Sequence, residues 1–381
     1  MKADLSPHHS IKIGNNFILW FQQSNIYMVI SSTLHQLLDT FFESESLDQF
    51  VQKVQKEFNL SYDECNTYFN EINHFLEEVY IPENSNQPKL GNSAISIPSS
   101  IISKTYCFGV VSVKVNYSSQ KVLQLIHPYL QHASKDNFAT YHHTFDIFHD
   151  QEFIYLFKNS TYVGVYKKNQ FHFLQGKFAM ELTSALYDNS ESDWMATFHA
   201  STVCNDKEAI MIVGDSGSGK STLSALLMGN GLDLLADDFT PMLAENQNLC
   251  RFPAAISIKE NSFPLISSIY EGFDKQNLNV STSKSINVKF LPPSKEFSSS
   301  QKQFRCNKVV QVKYSSDFEG AVLTSCSSEI ILQTLIPDSW VSPNPTHAEY
   351  FLNWLSGLQF FQLNYSDNEL AIEKFKDLFI D

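Results

Sequence analysis

A chain of 381 residues with 43% hydrophobic residues, 31 Phe and 16 Tyr among them, has apolar surface enough for two or three cores. No apolar run approaches the roughly 18 residues of a membrane span, and a net charge of −14 argues against a nucleic-acid partner, whose phosphates need clustered Lys and Arg. The opening Met-Lys-Ala-Asp-Leu-Ser-Pro-His-His lacks an export signal's n- and h-regions, so the cytoplasm is the expected compartment; six scattered cysteines without a Cys-x-x-Cys pair read as reduced thiols.

In chain order, short β-like pieces at 11–13, 17–21 and 26–30 precede three amphipathic helical patterns. The first carries Leu34, Leu37, Leu38, Phe41 and Phe42. The second opens at a Ser46-to-Gln49 capping box and the third at a Ser61-to-Glu64 box. Together they predict a winged-helix-like domain over 1–82. Pro82, Pro88 and Pro98, among several Ser and Asn, predict a linker over 83–100. A mixed α+β module is expected over 101–194, with strands including 153–158, 162–166 and 170–174 and a helix over 177–187. The last domain, 195–381, opens with strand-like 195–204 and 208–213, then a Gly-rich loop, a helix over 221–228 and a strand over 232–236. A polar, lysine-bearing stretch from about 271 to 303 reads as a mobile loop. The fold class expected is α/β.

Chemistry concentrates at Gly214-Asp215-Ser216-Gly217-Ser218-Gly219-Lys220-Ser221-Thr222, which matches a P-loop in both pattern and strand–loop–helix context. The glycines let backbone N–H groups approach phosphate oxygens at a helix N-terminus. Lys220 is expected to reach the β- and γ-phosphates, Ser221 to ligate Mg²⁺ and Thr222 to lie near the α-phosphate of ATP. Asp237-Asp238, just past an apolar strand, fall where side chains emerge at a sheet's carboxyl edge. One of the two carboxylates is expected to hold Mg²⁺, and the other, its pKa raised by its neighbour, to take a proton from an attacking hydroxyl. His199, in Phe-His-Ala-Ser-Thr on the preceding strand, reads by itself as a core histidine.

Taken together, His199, the Gly-Asp-Ser-Gly-x-Gly-Lys-Ser loop and the Ala-Asp-Asp string resemble the catalytic core of the HPr kinase/phosphorylase family and its relatives. The resemblance covers about 195–245 and continues more loosely through Phe252-Pro253 to Ile258-Lys259 and the Phe290-Leu291-Pro292-Pro293 turn. It implies Asp238 as the base, Asp237 as its assistant or Mg²⁺ ligand, and His199 as a residue orienting the phosphoryl group or the carboxylates. It also implies a homo-oligomer. The family's downstream Glu-x-Arg-Gly signature is missing, which leaves HPr as acceptor and reverse phosphorolysis without support. Lys259, Lys289 and Lys313 are the candidates for the phosphate clamp that an arginine would otherwise supply.

The N-terminal unit resembles the PqqD-like peptide-recognition domains of ribosomally made, modified peptides, which bind a leader peptide as an added strand. The joint expectation is an ATP- and Mg²⁺-dependent kinase for a Ser or Thr hydroxyl of a precursor peptide, with no nucleic-acid or membrane partner. Two alternatives stay open: a kinase for free serine, another small hydroxyl compound or an HPr-like protein, and a nucleotide-gated peptide-binding protein without transfer.

Overall fold

Antiparallel pairing starts near the N-terminus, where His9–Ile13, Asn16–Phe21 and Ile26–Ser31 form a sheet in chain order. Ile13 pairs with Asn16, so the first hairpin closes through two residues, and Gly14 takes the φ of 61° that such a turn demands. The computed structural model describes residues 5–79, 101–135, 140–280 and 286–380. The expected linker at 83–100 lies outside them. By its contacts the chain divides into two units, one of residues 5–79 with 326–358 and one of residues 101–325 with 359–380, counting described residues only. No described helix is long and apolar enough to cross a membrane.

In the first unit the helices Ser32–Phe42, Leu47–Phe58 and Tyr62–Val79 follow the sheet. Ser31 and Ser46 cap the first two by accepting the N–H of Leu34 and of Gln49, and Asn59 ends the second in the left-handed region. Leu19 and Phe21 join their core with Phe41, Phe50 and Ile72. Ile18 and Trp20, on the opposite face of the same strand, are also fully buried.

That second apolar face explains a departure from the expected 1–82 domain. The middle strand is apolar on both sides, and the three helices cover only one. Residues 326–358, expected in the last domain, supply the helices Ser328–Leu335 and Pro345–Ser356 to this unit instead. Phe351 packs edge-on against Tyr27 at 5.2 Å, the Asn25 amide donates to the Val341 carbonyl at 2.8 Å, and His9 Nε2 lies 3.1 Å from the Pro345 carbonyl.

The second unit is mixed α/β and holds several sheets. One has the order Ser134–Lys135, Ile102–Phe108, Val111–Tyr117, His143–His149, Phe153–Lys158, Thr161–Lys167. Its parallel pair, Val111–Tyr117 with His143–His149, is bridged by the helix Gln120–Leu130, a connection of the kind parallel strands require. The sequence reads mainly as strands here, but Val122, Leu123, Leu125 and Ile126 are buried at helical spacing behind a Ser119 cap. The strand expected at 170–174 is also corrected: Leu174 and Phe178 share a helical face, and the helix runs Phe171–Tyr187.

A second sheet builds around Gln303–Tyr314, long enough to serve two sets of neighbours. Its first residues pair with Leu249–Cys250, which leads to Thr240–Leu243 and Trp194–Phe198. Further along it runs parallel to Glu208–Val213 on one side and Gln359–Tyr365 on the other. Ser201–Cys204 and then Asp233–Ala236 extend the sheet antiparallel beyond Glu208–Val213. Ala236, Phe252 and Ala254 share a core with Phe145, Leu156 and Phe178 of the preceding module. The stretch expected as a mobile loop contributes Asn287–Leu291, the central strand of a small sheet with Ile256–Lys259 and Asn279–Val280. Val288 and Leu291 are buried there, and the polar residues around them masked the strand.

Candidate functional site

Two chain segments break at the same level of the sheet, and the break makes the site. Phe198 pairs with Thr240, and Thr202 pairs with Ala236. Between them His199, Ala200 and Ser201 therefore lie opposite Asp237, Asp238 and Phe239. Thr240 ties the break together by donating to the Ala200 carbonyl at 3.0 Å. His199 thus sits in the gap between two strands, where sequence reasoning had placed it within one.

The two carboxylates face different surroundings. Asp237 is 5% exposed; one oxygen accepts from the Ser201 hydroxyl and, at 3.2 Å, from the Ser221 hydroxyl. The Ser257 backbone N–H also donates to it. Burial first, and the charge of Asp238 second, push the Asp237 carboxyl well above the usual carboxylate range against those hydrogen bonds. Asp238 holds a φ of 59°, a left-handed conformation that Asp tolerates better than most residues, and its side chain is 49% exposed. Its Oδ1 lies 4.0 Å from His199 Nε2, on a ring that is 44% exposed. The expectation that the carboxyl with the raised pKa would be the base therefore meets a difference: that carboxyl is the enclosed Asp237, and the accessible one is Asp238.

The glycine-rich loop joins Glu208–Val213 to the helix Lys220–Gly229. Gly214, Gly217 and Gly219 have φ of 146°, 97° and 100°. Space is as restrictive as torsion at two of them: a Cβ on Gly214 would meet Ser218 Oγ at 2.7 Å and the Val312 carbonyl at 2.8 Å, and one on Gly219 the Tyr365 hydroxyl at 2.9 Å. Lys220 is buried and donates to the Gly214 and Asp215 carbonyls, so its ammonium lies over the loop. Asp215, Ser216 and Gly217 form the exposed tip. Ser218 Oγ is buried with no hydrogen-bond partner. Thr222 Oγ1 lies 2.9 Å from Ser262 Oγ.

A triphosphate with Mg²⁺ fits these residues. The loop is glycine-lined where a Cβ would intrude, it carries an orphaned buried hydroxyl, and it opens the helix whose first N–H groups have no partner within the helix. Ser221 and Asp237 offer two hard oxygen donors side by side, which suits an ion that keeps waters and phosphate oxygens as its other ligands. Among the described residues no group of three or more His, Cys, Asp or Glu forms a metal cluster.

Of the lysines weighed as a phosphate clamp, Lys289 is committed elsewhere: it donates to the Asp274 carbonyl at 2.6 Å and lies over the Phe263 and Phe273 rings. Lys313 is exposed and adjoins Tyr314, whose N–H donates to the Ser218 carbonyl at 2.9 Å. Lys259 is exposed at the end of the strand that carries Ser257. Neither of the chain's two arginines, Arg251 and Arg305, serves the loop. Arg251 is buried against Asp233 at 2.6 Å. Arg305 is the register partner of Glu208 at the far end of the strand, about 20 Å from the loop at ~3.3 Å per residue. Sequence reasoning also missed Ser201, Ser257 and Tyr365; the first stood in the quoted Phe-His-Ala-Ser-Thr string, and only the fold reveals what it holds.

No protein-family model matches the chain, and no curated protein is found as a relative. Among solved structures, the Hpr(Ser) kinase/phosphatase from Coxiella burnetii is matched at 15% identity, over 48% of this chain and 90% of that one, with a TM-score of 0.25.

Proposed function

We propose that this chain is an ATP- and Mg²⁺-dependent phosphotransferase of HPr-kinase type that phosphorylates a Ser or Thr hydroxyl of a ribosomally made precursor peptide. The observation that carries the reading is the 3.2 Å contact between Ser221, in the first turn after the glycine-rich loop, and Asp237, whose neighbour Asp238 faces solvent beside His199. A phosphate-binding loop alone explains binding. A loop abutting an enclosed carboxylate and an accessible one supplies the parts for transfer.

The chain's residues divide the work. Backbone N–H groups of the loop and Lys220 hold the phosphates, and Ser201 and Ser257 fix Asp237 in place. Ser221 and Asp237 would hold Mg²⁺, which would neutralise charge on the phosphate oxygens. Asp238 accepts the proton of the attacking hydroxyl as that oxygen bonds to the γ-phosphorus, while the bond to the β,γ-bridging oxygen breaks and its electron pair leaves with ADP. His199 lies close enough to Asp238 to orient it or the phosphoryl group.

The acceptor is proposed from the first unit, whose three-stranded sheet followed by three helices is the order expected of a PqqD-like domain. A peptide adding to the outer strand Ile26–Ser31 would gain backbone hydrogen bonds and tether its hydroxyl at roughly millimolar effective concentration. The test is incubation with γ-labelled ATP, Mg²⁺ and a panel of serine- and threonine-bearing peptides or free serine. Label on peptide at a far lower concentration than on free serine supports the reading. Label on serine alone replaces it with a small-molecule kinase, and ATP binding without stable label on any acceptor replaces it with a switch.

A further inference from the structure

Beside the glycine-rich loop stand two tyrosines with opposite exposures. Tyr314 and Tyr365 are register partners at the C-terminal ends of the parallel strands Gln303–Tyr314 and Gln359–Tyr365. Tyr365 is 1% exposed, and its hydroxyl lies where a Cβ on Gly219 would come within 2.9 Å, so it packs against the loop. Tyr314 is strapped to the loop by its own N–H, which donates to the Ser218 carbonyl, and its Cβ would lie 3.2 Å from one added to Gly219. The two rings meet at 5.4 Å and 70°, an edge arrangement in which the buried ring braces the exposed one. Tyr314 is 47% exposed.

An isolated exposed aromatic residue needs no explanation. This one differs in that its backbone is tied to the loop at Ser218 and its ring is braced by Tyr365, while about half its surface stays open beside the proposed phosphate site. An aromatic surface beside the glycine-rich loop offers one thing the loop itself cannot, a stacking partner for the base.

We infer that Tyr314 is the platform on which the nucleobase of the bound triphosphate stacks. The inference rests on the triphosphate reading of the loop. Every base has a π-face, so stacking of this kind distinguishes a nucleoside triphosphate from inorganic triphosphate and discriminates little between adenine and guanine.

Calorimetric titration of the full chain with Mg-ATP, Mg-GTP and Mg-tripolyphosphate tests it. Tyr314→Ala should weaken ATP and GTP roughly tenfold or more and leave tripolyphosphate within about twofold, while Tyr314→Phe should bind all three like the wild type. In the Tyr314→Trp variant, ATP should quench the new indole emission and tripolyphosphate should not. Tyr314→Ala binding ATP as tightly as the wild type overturns the platform, and so does an equal loss of ATP and tripolyphosphate, which would mark Tyr314 as a support of the loop. A wild-type protein that binds neither ATP nor tripolyphosphate fails at the earlier step, the triphosphate reading.

Discussion

Arg251→Ala should lower the thermal stability of the larger unit by several degrees. Arg251 is buried and donates from Nη2 to Asp233 at 2.6 Å, from Nε to the Gln301 carbonyl at 3.1 Å and from Nη1 to the Leu234 carbonyl. Asp233 is enclosed, and its Oδ1 has no hydrogen-bond partner, so the guanidinium is the main compensation for its charge. Lys295 reaches Asp233 at 3.6 Å but is more than half exposed and correspondingly screened. Removing one partner of a buried pair costs about 3–5 kcal/mol, and the remaining lysine places this variant near the lower end, about 3 kcal/mol. At ~2 °C per kcal/mol for a unit of this size, the expected fall in Tm is about 6 °C. Scanning calorimetry measures it, and the paired replacement Arg251→Met with Asp233→Leu should recover most of the loss because it leaves no buried charge. A fall under about 2 °C, or a double variant no better than the single one, would refute the argument. If Arg251 were instead a phosphate clamp, the variant would keep its Tm and lose triphosphate affinity.

Gly219→Ala should lose triphosphate binding by an order of magnitude or more, since its φ of 100° and the Tyr365 hydroxyl at 2.9 Å both oppose a Cβ; calorimetric titration reads the loss, and unchanged affinity would mean the loop has slack. His127, held below the ordinary histidine value first by burial and then by Lys104, is protonated in the unfolded chain before it is protonated in the folded one. Its contribution to stability is therefore full above the unfolded histidine pKa near 6.5 and is lost as the pH falls through the folded value, so His127→Gln should flatten the Tm profile below about pH 6.5, and an unchanged profile would contradict this. Removing 1–85 alone should destabilise the chain because 326–358 belong to the same unit. Removing 1–85 together with 326–360 and joining Ser325 to Phe361, antiparallel register partners, through Asn-Gly should yield a unit that binds Mg-ATP and no longer favours peptide over free serine, as competition assays would show.

The first three helices were legible because their apolar positions recur at helical spacing between Ser caps, signals that are local in the chain. The strand, glycine-rich turn and helix over 208–229 were legible for the same reason, the glycines falling within nine consecutive residues. What escaped the sequence was non-local. Nothing near Trp20 says that its face is covered by residues more than 300 positions away, although a strand apolar on both sides already asks for two covers. The partnership of Ser201 with Asp237 comes from two strands breaking at one level, and the difference between Asp237 and Asp238 comes from burial, which adjacent identical residues cannot display in sequence. The helix Gln120–Leu130 was hidden by Pro128 near its end and by strands on either side.

The central claim, transfer to a hydroxyl with Asp238 as base, is tested most directly by single-turnover transfer of γ-labelled phosphate to the best peptide of the panel, with wild type and Asp238→Asn compared at equal ATP occupancy. The account predicts that Asp238→Asn binds Mg-ATP like the wild type and that its transfer rate falls by about 10²-fold or more. Transfer by Asp238→Asn at the wild-type rate would contradict it.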